Sequence, residues 1–210
     1  MRGFRLSRKF SNWIPLKKKK NLKSFSDQAL APLSRFLAAC GIGPNLVTLA
    51  GVFVTLMVPV ELLQEKWVSA GLWLLGGGFF DVLDGALARN SGLKRPFGAF
   101  WDSTLDRVSE AIVFGGFLLY YGRHQNSEAF LLAFSVCILS FLVSYTRARA
   151  EGLGLDCEVG ILPRPGRVFL LALGLFVSQP TWTLAVVGVL SLVTLAQRVH
   201  LVWVKTGESR

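Results

Sequence analysis

The sequence predicts an all-α integral membrane protein, on the strength of its apolar composition, its long apolar runs and the placement of its positive charge. Of the 210 residues, 52% are hydrophobic and 17% are charged, whereas soluble domains carry about 25% charged residues. Crossing a bilayer core of about 30 Å takes about 20 helical residues, and several runs reach or approach that length. We therefore predict six transmembrane helices preceded by a basic N-terminal interfacial helix.

The N-terminal segment, residues 1–43, combines a basic tail with a short amphipathic stretch. Residues 1–24 contain nine Lys and Arg residues and no acid, and they lack the 7–15-residue apolar core of a signal peptide. Residues 25–40 suit an interfacial helix, although Pro32 leaves its exact start open. The residues expected on its apolar side are Leu30, Leu33, Phe36 and Leu37.

Six apolar stretches follow and form a predicted transmembrane domain, residues 44–204, before a short tail, residues 205–210. The predicted spans are 44–63, 66–89, 97–121, 128–149, 167–180 and 182–204. The fifth span is short, and Pro180 is expected to mark the turn into the sixth.

The positive charge predicts the orientation of the chain. If both termini are cytosolic, 20 of the 23 Lys and Arg residues lie on the cytosolic side, Arg107 falls within a span, and only Lys66 and Arg123 lie outside. This asymmetry is the one that cytosolic loops of membrane proteins show. The net charge of +10 fits attraction to anionic lipid, and the long apolar runs exclude a small nucleic-acid module, so no nucleic-acid partner is expected.

Acidic residues occupy two consecutive predicted spans, where a carboxylate costs about 2.5–3.5 kcal/mol on insertion scales. They are Asp81, Asp84, Asp102, Asp106 and Glu110. The first two are spaced i,i+3 and the next two i,i+4, so each pair points from one face of its helix. A short loop near residues 90–96 makes the two helices antiparallel, which brings the pairs together at one end.

Arg89 and Arg107 could neutralise only part of this charge, and a divalent metal could supply the rest. The candidate donors are all carboxylate oxygens, with no His or Cys nearby, which favours Mg²⁺ or Mn²⁺ over zinc. The sequence therefore predicts a metal site held by Asp81, Asp84, Asp102 and Asp106.

The stretch from Asp81 to Asp106 resembles the signature of the CDP-alcohol phosphotransferases, D-x2-D-G-x2-A-R-x8-G-x3-D-x3-D. All eight fixed positions are met, because Gly85, Ala88, Arg89 and Gly98 stand between the aspartates at the required spacing. The segment Pro44 to Thr48 is similar to the P-N-x-x-T segment that opens the family's first span. The resemblance covers most of the chain beyond the basic tail.

This resemblance implies an enzyme that moves a phosphatidyl-type group from a CDP-linked lipid to a small hydroxyl acceptor and releases CMP. It implies a two-metal site at the four aspartates, with Asp106 also acting as the general base. It further implies that the CDP-lipid is bound by Asn45, Thr48, Gly85, Ala88 and Arg89. Members of the family are commonly homodimers.

Two downstream segments, residues 144–151 and 164–167, resemble the branch that makes phosphatidylinositol phosphate or its archaeal ether-lipid counterpart. By that match, Arg147, Arg167 and Arg198 would bind the phosphate of inositol phosphate. The branch usually carries a lysine at the place of Arg147 and acidic residues at the places of Pro163 and Gly166. Glycerol phosphate, serine or another alcohol could use the same aspartates, and the four arginines of this region could instead anchor the topology.

Two other function classes can be separated from this interpretation. A cation transporter would favour acids spread through the membrane depth and a repeated half-structure, whereas these acids cluster near one face. A catalytically inactive scaffold would be expected to have lost part of the eight-residue motif.

Overall fold

The computed structural model describes residues 28–93 and 95–207, and these residues form helices and connecting turns without any strand. The basic tail at residues 1–24 and the last residues of the C-terminal tail lie outside the described residues. The helices are α1 (Ala31–Ala39), α2 (Pro44–Thr55), α3 (Met57–Leu63), α4 (Trp67–Asn90), α5 (Pro96–Arg123), α6 (Ser127–Gly152), α7 (Arg164–Phe176) and α8 (Pro180–Lys205).

Four segments of the described chain are long and apolar enough to cross a membrane. They are Pro44–Leu63, Trp67–Asn90, Ser127–Gly152 and Pro180–Lys205, and each coincides with a predicted span to within three residues. The chain is therefore a multi-pass membrane protein, as the composition predicted.

The other two predicted spans also form helices, but they do not meet that criterion. Helix α5 is 28 residues long and carries several charged residues in its first half, including the pair of aspartates. Helix α7 has only 13 residues and reaches about 20 Å at 1.5 Å per residue. Six spans therefore remain a prediction. Residues 153–163 join α6 to α7 without a regular helix.

The first span is interrupted between α2 and α3, and Pro59 accounts for the interruption. A proline cannot donate a hydrogen bond to the carbonyl four residues earlier, and its ring clashes with that carbonyl. That carbonyl belongs to Thr55, where α2 ends. Helix α3 approaches α5 closely at Pro59, because Gly116 has no side chain: a Cβ at Gly116 would lie 2.9 Å from the Cα of Pro59.

Prolines also set where helices begin. Pro44, Pro96 and Pro180 are the first residues of α2, α5 and α8. The sequence placed Pro180 at the turn before the last span, but the turn comes earlier, at residues 177–179. A proline fits the first helical position, where no intrahelical N–H bond is needed.

Helix α4 is at the centre of the bundle. It packs against α2, α3 and α7, and α1 lies across its C-terminal half. Helix α2 packs against both α4 and α5, which themselves touch over only a short stretch. The gap left between α4 and α5 is where the acidic side chains lie. The apolar core beneath them includes Val58, Leu62, Phe114, Phe117 and Leu175.

Much of the outer surface is apolar, as expected for helices that face lipid. Phe53 is 62% exposed, Leu119 is 58% exposed and Trp182 is 73% exposed. The apolar residues of α1, together with Leu30, which directly precedes the helix, lie in two environments. Leu30 and Leu37 pack on the body of the protein, while Leu33 and Phe36 are exposed.

Candidate functional site

A cluster of carboxylates lies between α4 and α5, as the spacing of the aspartates predicted. One oxygen from each of Asp81, Asp102 and Asp106 lies within 4.8 Å of the other two. Asp84 and Asp102 stand six residues from the facing ends of their helices, about 9 Å along each axis. Because the helices are antiparallel, both pairs therefore lie at similar depth.

The fourth aspartate, Asp84, sits one helical turn closer to that end than Asp81 and is only 4% exposed. Its Oδ2 atom and the Oδ1 atom of Asp102 are buried without a hydrogen-bond partner among the described residues. A buried carboxylate oxygen without a partner is costly, and a hard divalent cation would satisfy it. The all-oxygen donor set thus fits Mg²⁺ or Mn²⁺.

Arg164, at the start of α7, reaches into this cluster, which the sequence did not predict. Its Nη1 lies 2.9 Å from Asp81 Oδ2 and 2.6 Å from Asp106 Oδ1. Arg107 Nη1 also lies 3.3 Å from Asp106 Oδ2. One guanidinium therefore links the acidic residues of α4 and α5 to α7. The sequence does show two arginines close together in the segment RPGR, Arg164 and Arg167. It gives no indication that the two contact different acidic residues.

A cavity of about 460 Å³ opens on one side of the cluster, and we call it the Asp84–Asp102 cavity after two aspartates that line it. All the residues that the resemblance assigned to the CDP-lipid line it: Asn45, Thr48, Gly85, Ala88 and Arg89. Gly85 leaves room for the arginine, because a Cβ at that position would lie 3.0 Å from Arg89 Nη1.

A second cavity, of about 610 Å³, lies on the other side, and we call it the Asp81–Asp106 cavity. The three arginines that the resemblance assigned to an acceptor phosphate, Arg147, Arg167 and Arg198, all line it. Residues from four helices, α4 to α7, thus meet there with the last helix, α8, which supplies Arg198.

These three arginines differ in their hydrogen-bond partners within the protein. Arg147 donates from Nε to Glu151 Oε1 at 2.7 Å and stays partly exposed. Arg198 donates to two backbone carbonyls, those of Val143 and Val159. Arg167 is only 2% exposed, and its Nη2 donates to Glu110 Oε1 at 2.6 Å.

The two cavities meet at the carboxylate cluster. Asp84 and Asp102 line one cavity, Asp81 and Asp106 line the other, and Gly85 and Arg89 line both. The arrangement can hold two ligands end to end with four carboxylates at their junction.

Residues 42–204 match the sequence model of the family described as CDP-alcohol phosphatidyltransferase. The archaetidylinositol phosphate synthase of Pyrococcus horikoshii is 35% identical over 174 residues, covering 82% of this chain and 90% of that protein. The phosphatidylinositol phosphate synthase of Mycobacterium tuberculosis is 34% identical over 192 residues, covering 84% of this chain and 86% of that protein.

Crystal structures of the Mycobacterium tuberculosis phosphatidylinositol phosphate synthase are also similar to this chain. The structure with CDP-DAG bound has a TM-score of 0.77 at 29% identity and covers 84% of this chain and 94% of that one. The structure in complex with manganese and citrate has a TM-score of 0.76 at 30% identity and covers 82% and 88%.

Proposed function

The chain belongs to the CDP-alcohol phosphatidyltransferase family, and we propose that it transfers a phosphatidyl-type group from a CDP-linked lipid to the hydroxyl of inositol phosphate, releasing CMP. Membership makes it a phospholipid-biosynthesis enzyme. The identity of the acceptor, the roles of the residues and the number of metal ions go beyond family membership and are part of our proposal.

One observation carries this proposal: the four aspartates stand where two cavities of different character meet. A transfer between two substrates needs both to reach one reacting centre from different sides. The Asp84–Asp102 cavity offers a binding site to the nucleotide end of the donor, and the Asp81–Asp106 cavity offers one to an anionic acceptor. Placing the reacting atoms in contact at such a junction supplies much of the catalysis in transfer reactions.

For the donor, the residues we propose are Asn45, Thr48, Gly85, Ala88 and Arg89. The amide, the hydroxyl and the guanidinium can donate hydrogen bonds to the cytidine or the diphosphate, and the small residues allow close approach of the ligand. The CDP-DAG complex of the similar Mycobacterium tuberculosis enzyme supports a donor of this chemical class.

At the junction, Asp106 takes the proton of the acceptor hydroxyl as general base. The acceptor oxygen then forms a bond to the lipid-bearing phosphorus, and the bond from that phosphorus to the oxygen of CMP breaks. We propose that Asp81, Asp84, Asp102 and Asp106 hold two divalent cations, Mg²⁺ or Mn²⁺, which when bound would neutralise the diphosphate charge that builds up during transfer. The manganese complex of the similar enzyme supports the choice of metal.

For the acceptor, Arg147, Arg167 and Arg198 would bind the phosphate group. Together with Arg89, Arg107 and Arg164 they make six arginines among the described residues lining the Asp81–Asp106 cavity, against three acids. That excess suits a doubly charged phosphate better than a neutral alcohol such as free inositol. The names of the two relatives agree with an inositol phosphate acceptor.

Three further features belong to this proposal. Helices α5 and α7 lie in the membrane as the remaining two of six spans, both termini and the two cavities face the cytosol, and the enzyme is a homodimer. The excess of Lys and Arg on one side supports the orientation.

The test is to incubate purified protein with a CDP-linked lipid, Mg²⁺ or Mn²⁺ and one acceptor at a time, and to measure CMP. The acceptors are inositol phosphate, glycerol phosphate, serine and free inositol. We expect CMP with inositol phosphate and at least about 1,000-fold less with Asp106→Asn, because a positioned base contributes up to about 10,000-fold. Glu128→Gln, an exposed acid far from the cluster, is the control.

CMP release with glycerol phosphate or serine alone would replace the acceptor and keep the reaction. Substantial turnover by a folded Asp106→Asn variant would overturn the base assignment. Metal-dependent ion flux through liposomes without CMP release would replace the enzyme with a transporter.

A further inference from the structure

Glu110 lies one helical turn beyond Asp106 on α5 and is buried, with 8% of its surface exposed. Its Oε1 atom accepts from Arg167 Nη2 at 2.6 Å, and its Oε2 atom has no hydrogen-bond partner among the described residues. A buried ion pair is not stabilising in itself, because desolvation of both charges offsets their attraction. An apolar pair would fill the same space, so the charges invite a functional explanation.

The position of the pair relative to the cavities is informative. A third cavity, the inner apolar cavity of about 240 Å³, lies deeper in the bundle and is lined mainly by apolar residues of α4, α5 and α7. Arg167 lines both this cavity and the Asp81–Asp106 cavity, whereas Glu110 lines only the inner one. Of the two members of the pair, only Arg167 therefore reaches the Asp81–Asp106 cavity.

We infer that Glu110 is a positioning residue, which holds the guanidinium of Arg167 so that its remaining N–H groups face a phosphate monoester in the Asp81–Asp106 cavity. The inference rests on the proposed function for the identity of that acceptor. A guanidinium carries five N–H donors in a planar fork, so one edge can be held while another binds.

The neighbours of Arg167 agree with this role. Its Nη2 also lies 3.4 Å from the hydroxyl oxygen of Ser144, a residue that lines the Asp81–Asp106 cavity. Its Nε atom is buried and has no partner among the described residues. The side chain is thus fixed at one end of its fork while donor capacity is left over. Fixing a donor before the ligand arrives lowers the entropy lost on binding.

Two other roles for Glu110 predict different effects of its removal on phosphate affinity. If the carboxylate only neutralised Arg167, it would compete with the acceptor phosphate, and its removal would strengthen phosphate binding. If it only stabilised the fold, its removal would lower the melting temperature and leave phosphate affinity unchanged.

The experiment measures binding of inositol phosphate and of inorganic phosphate to the full-length protein in detergent with Mn²⁺, by calorimetry. We expect Glu110→Gln to weaken binding of both about tenfold, while the affinities for Mn²⁺ and for the CDP-lipid stay within twofold. Glu110→Asp keeps the negative charge, but its side chain is one methylene shorter and holds Arg167 less well. It should also weaken phosphate binding, and the melting temperature should stay unchanged. In an Arg167→Met background, Glu110→Gln should have no further effect on phosphate affinity.

Unchanged or tighter phosphate binding by Glu110→Asp or Glu110→Gln overturns the inference. So does wild-type protein that binds neither form of phosphate. CMP release is measured in parallel and separates the two proposals. A wild-type protein whose phosphate binding depends on Arg167 and Glu110 as expected, but which releases no CMP, would contradict the proposed reaction and leave the positioning role standing.

Discussion

The two cavities that meet at the carboxylates are built from different chemistry. The Asp84–Asp102 cavity is lined by small and neutral polar residues of α2, α4 and α5, with two arginines among the described residues. In the part of the chain that the structure describes, six arginines line the Asp81–Asp106 cavity, and residues from α6, α7 and α8 complete it. The first cavity lies within the segment that carries the eight-residue motif and the opening of the first span. The second cavity forms only when α6, α7 and α8 pack against α4 and α5.

The difference indicates how the two ligands would be recognised. Only two arginines of the described residues line the Asp84–Asp102 cavity, so the charge of a diphosphate would be met there mainly by ions held on the aspartates. In the Asp81–Asp106 cavity the protein supplies the positive charge itself. Changes to the arginines that line only the Asp81–Asp106 cavity should therefore affect acceptor binding and leave donor binding intact.

Of three substitutions in the two cavities, Arg147→Ala should give the largest difference between its effects on the KM for the acceptor and the KM for the donor. Loss of a charge-assisted hydrogen bond worth about 2 kcal/mol would raise the KM for inositol phosphate about 30-fold, with the KM for the CDP-lipid unchanged. Steady-state kinetics on both substrates measures this. Arg123→Ala, at the other end of α5, is the matched control. An equal rise in both KM values would show that the cavities do not divide the substrates.

Arg164→Ala tests the junction itself. Its guanidinium contacts oxygens of Asp81 and Asp106 that a metal would also need. Removing this competing cation should tighten Mn²⁺ binding about tenfold, the equivalent of about 1.4 kcal/mol. Calorimetric titration with Mn²⁺ measures the change, and Arg149→Ala, an exposed arginine of α6, is the control. Weaker Mn²⁺ binding would mean that Arg164 supports the site and does not compete for it.

Asn45→Ala should give the smallest effect, on the donor side only. A neutral hydrogen bond is worth about 1 kcal/mol, so we expect the KM for the CDP-lipid to rise about fivefold. The KM for inositol phosphate, measured on the same preparation, is the internal control. A change in that second value would place Asn45 in contact with the acceptor.

Much of this arrangement follows from local sequence. The long apolar runs located four membrane-crossing segments to within three residues, because length and hydropathy are properties of contiguous residues. Asp81, Asp102 and Asp106 converge because i,i+3 and i,i+4 spacing fixes a helical face, and a short loop fixes the antiparallel neighbour. The break between α2 and α3 could also have been predicted from Pro59, because a proline interrupts a helix. Residues 44–63 were nevertheless predicted as one continuous span.

The partners of the arginines were not predictable in this way. Glu110 and Arg167 are 57 positions apart in the sequence, and their contact depends on how α7 is placed against α5. Arg164 and Arg167 lie three residues apart, yet one reaches the aspartates and the other reaches Glu110. The distribution of positive charge predicts that these cations lie on one side of the membrane, but only the packing of the bundle separates their contacts.

The shortness of α7 has a consequence for the backbone that precedes it. At about 20 Å it is shorter than a hydrocarbon core of about 30 Å. Irregular backbone that is shielded from water requires hydrogen-bond partners from within the protein. Helix α8 supplies them: the amide N–H groups of Ile161 and Leu162 donate to Gln197 Oε1 and Thr194 Oγ1, at 3.1 and 3.0 Å. Helix α8 thus holds the irregular segment that leads into α7. Arg164 directly follows that segment, so its position near the aspartates is tied to side chains some thirty residues downstream.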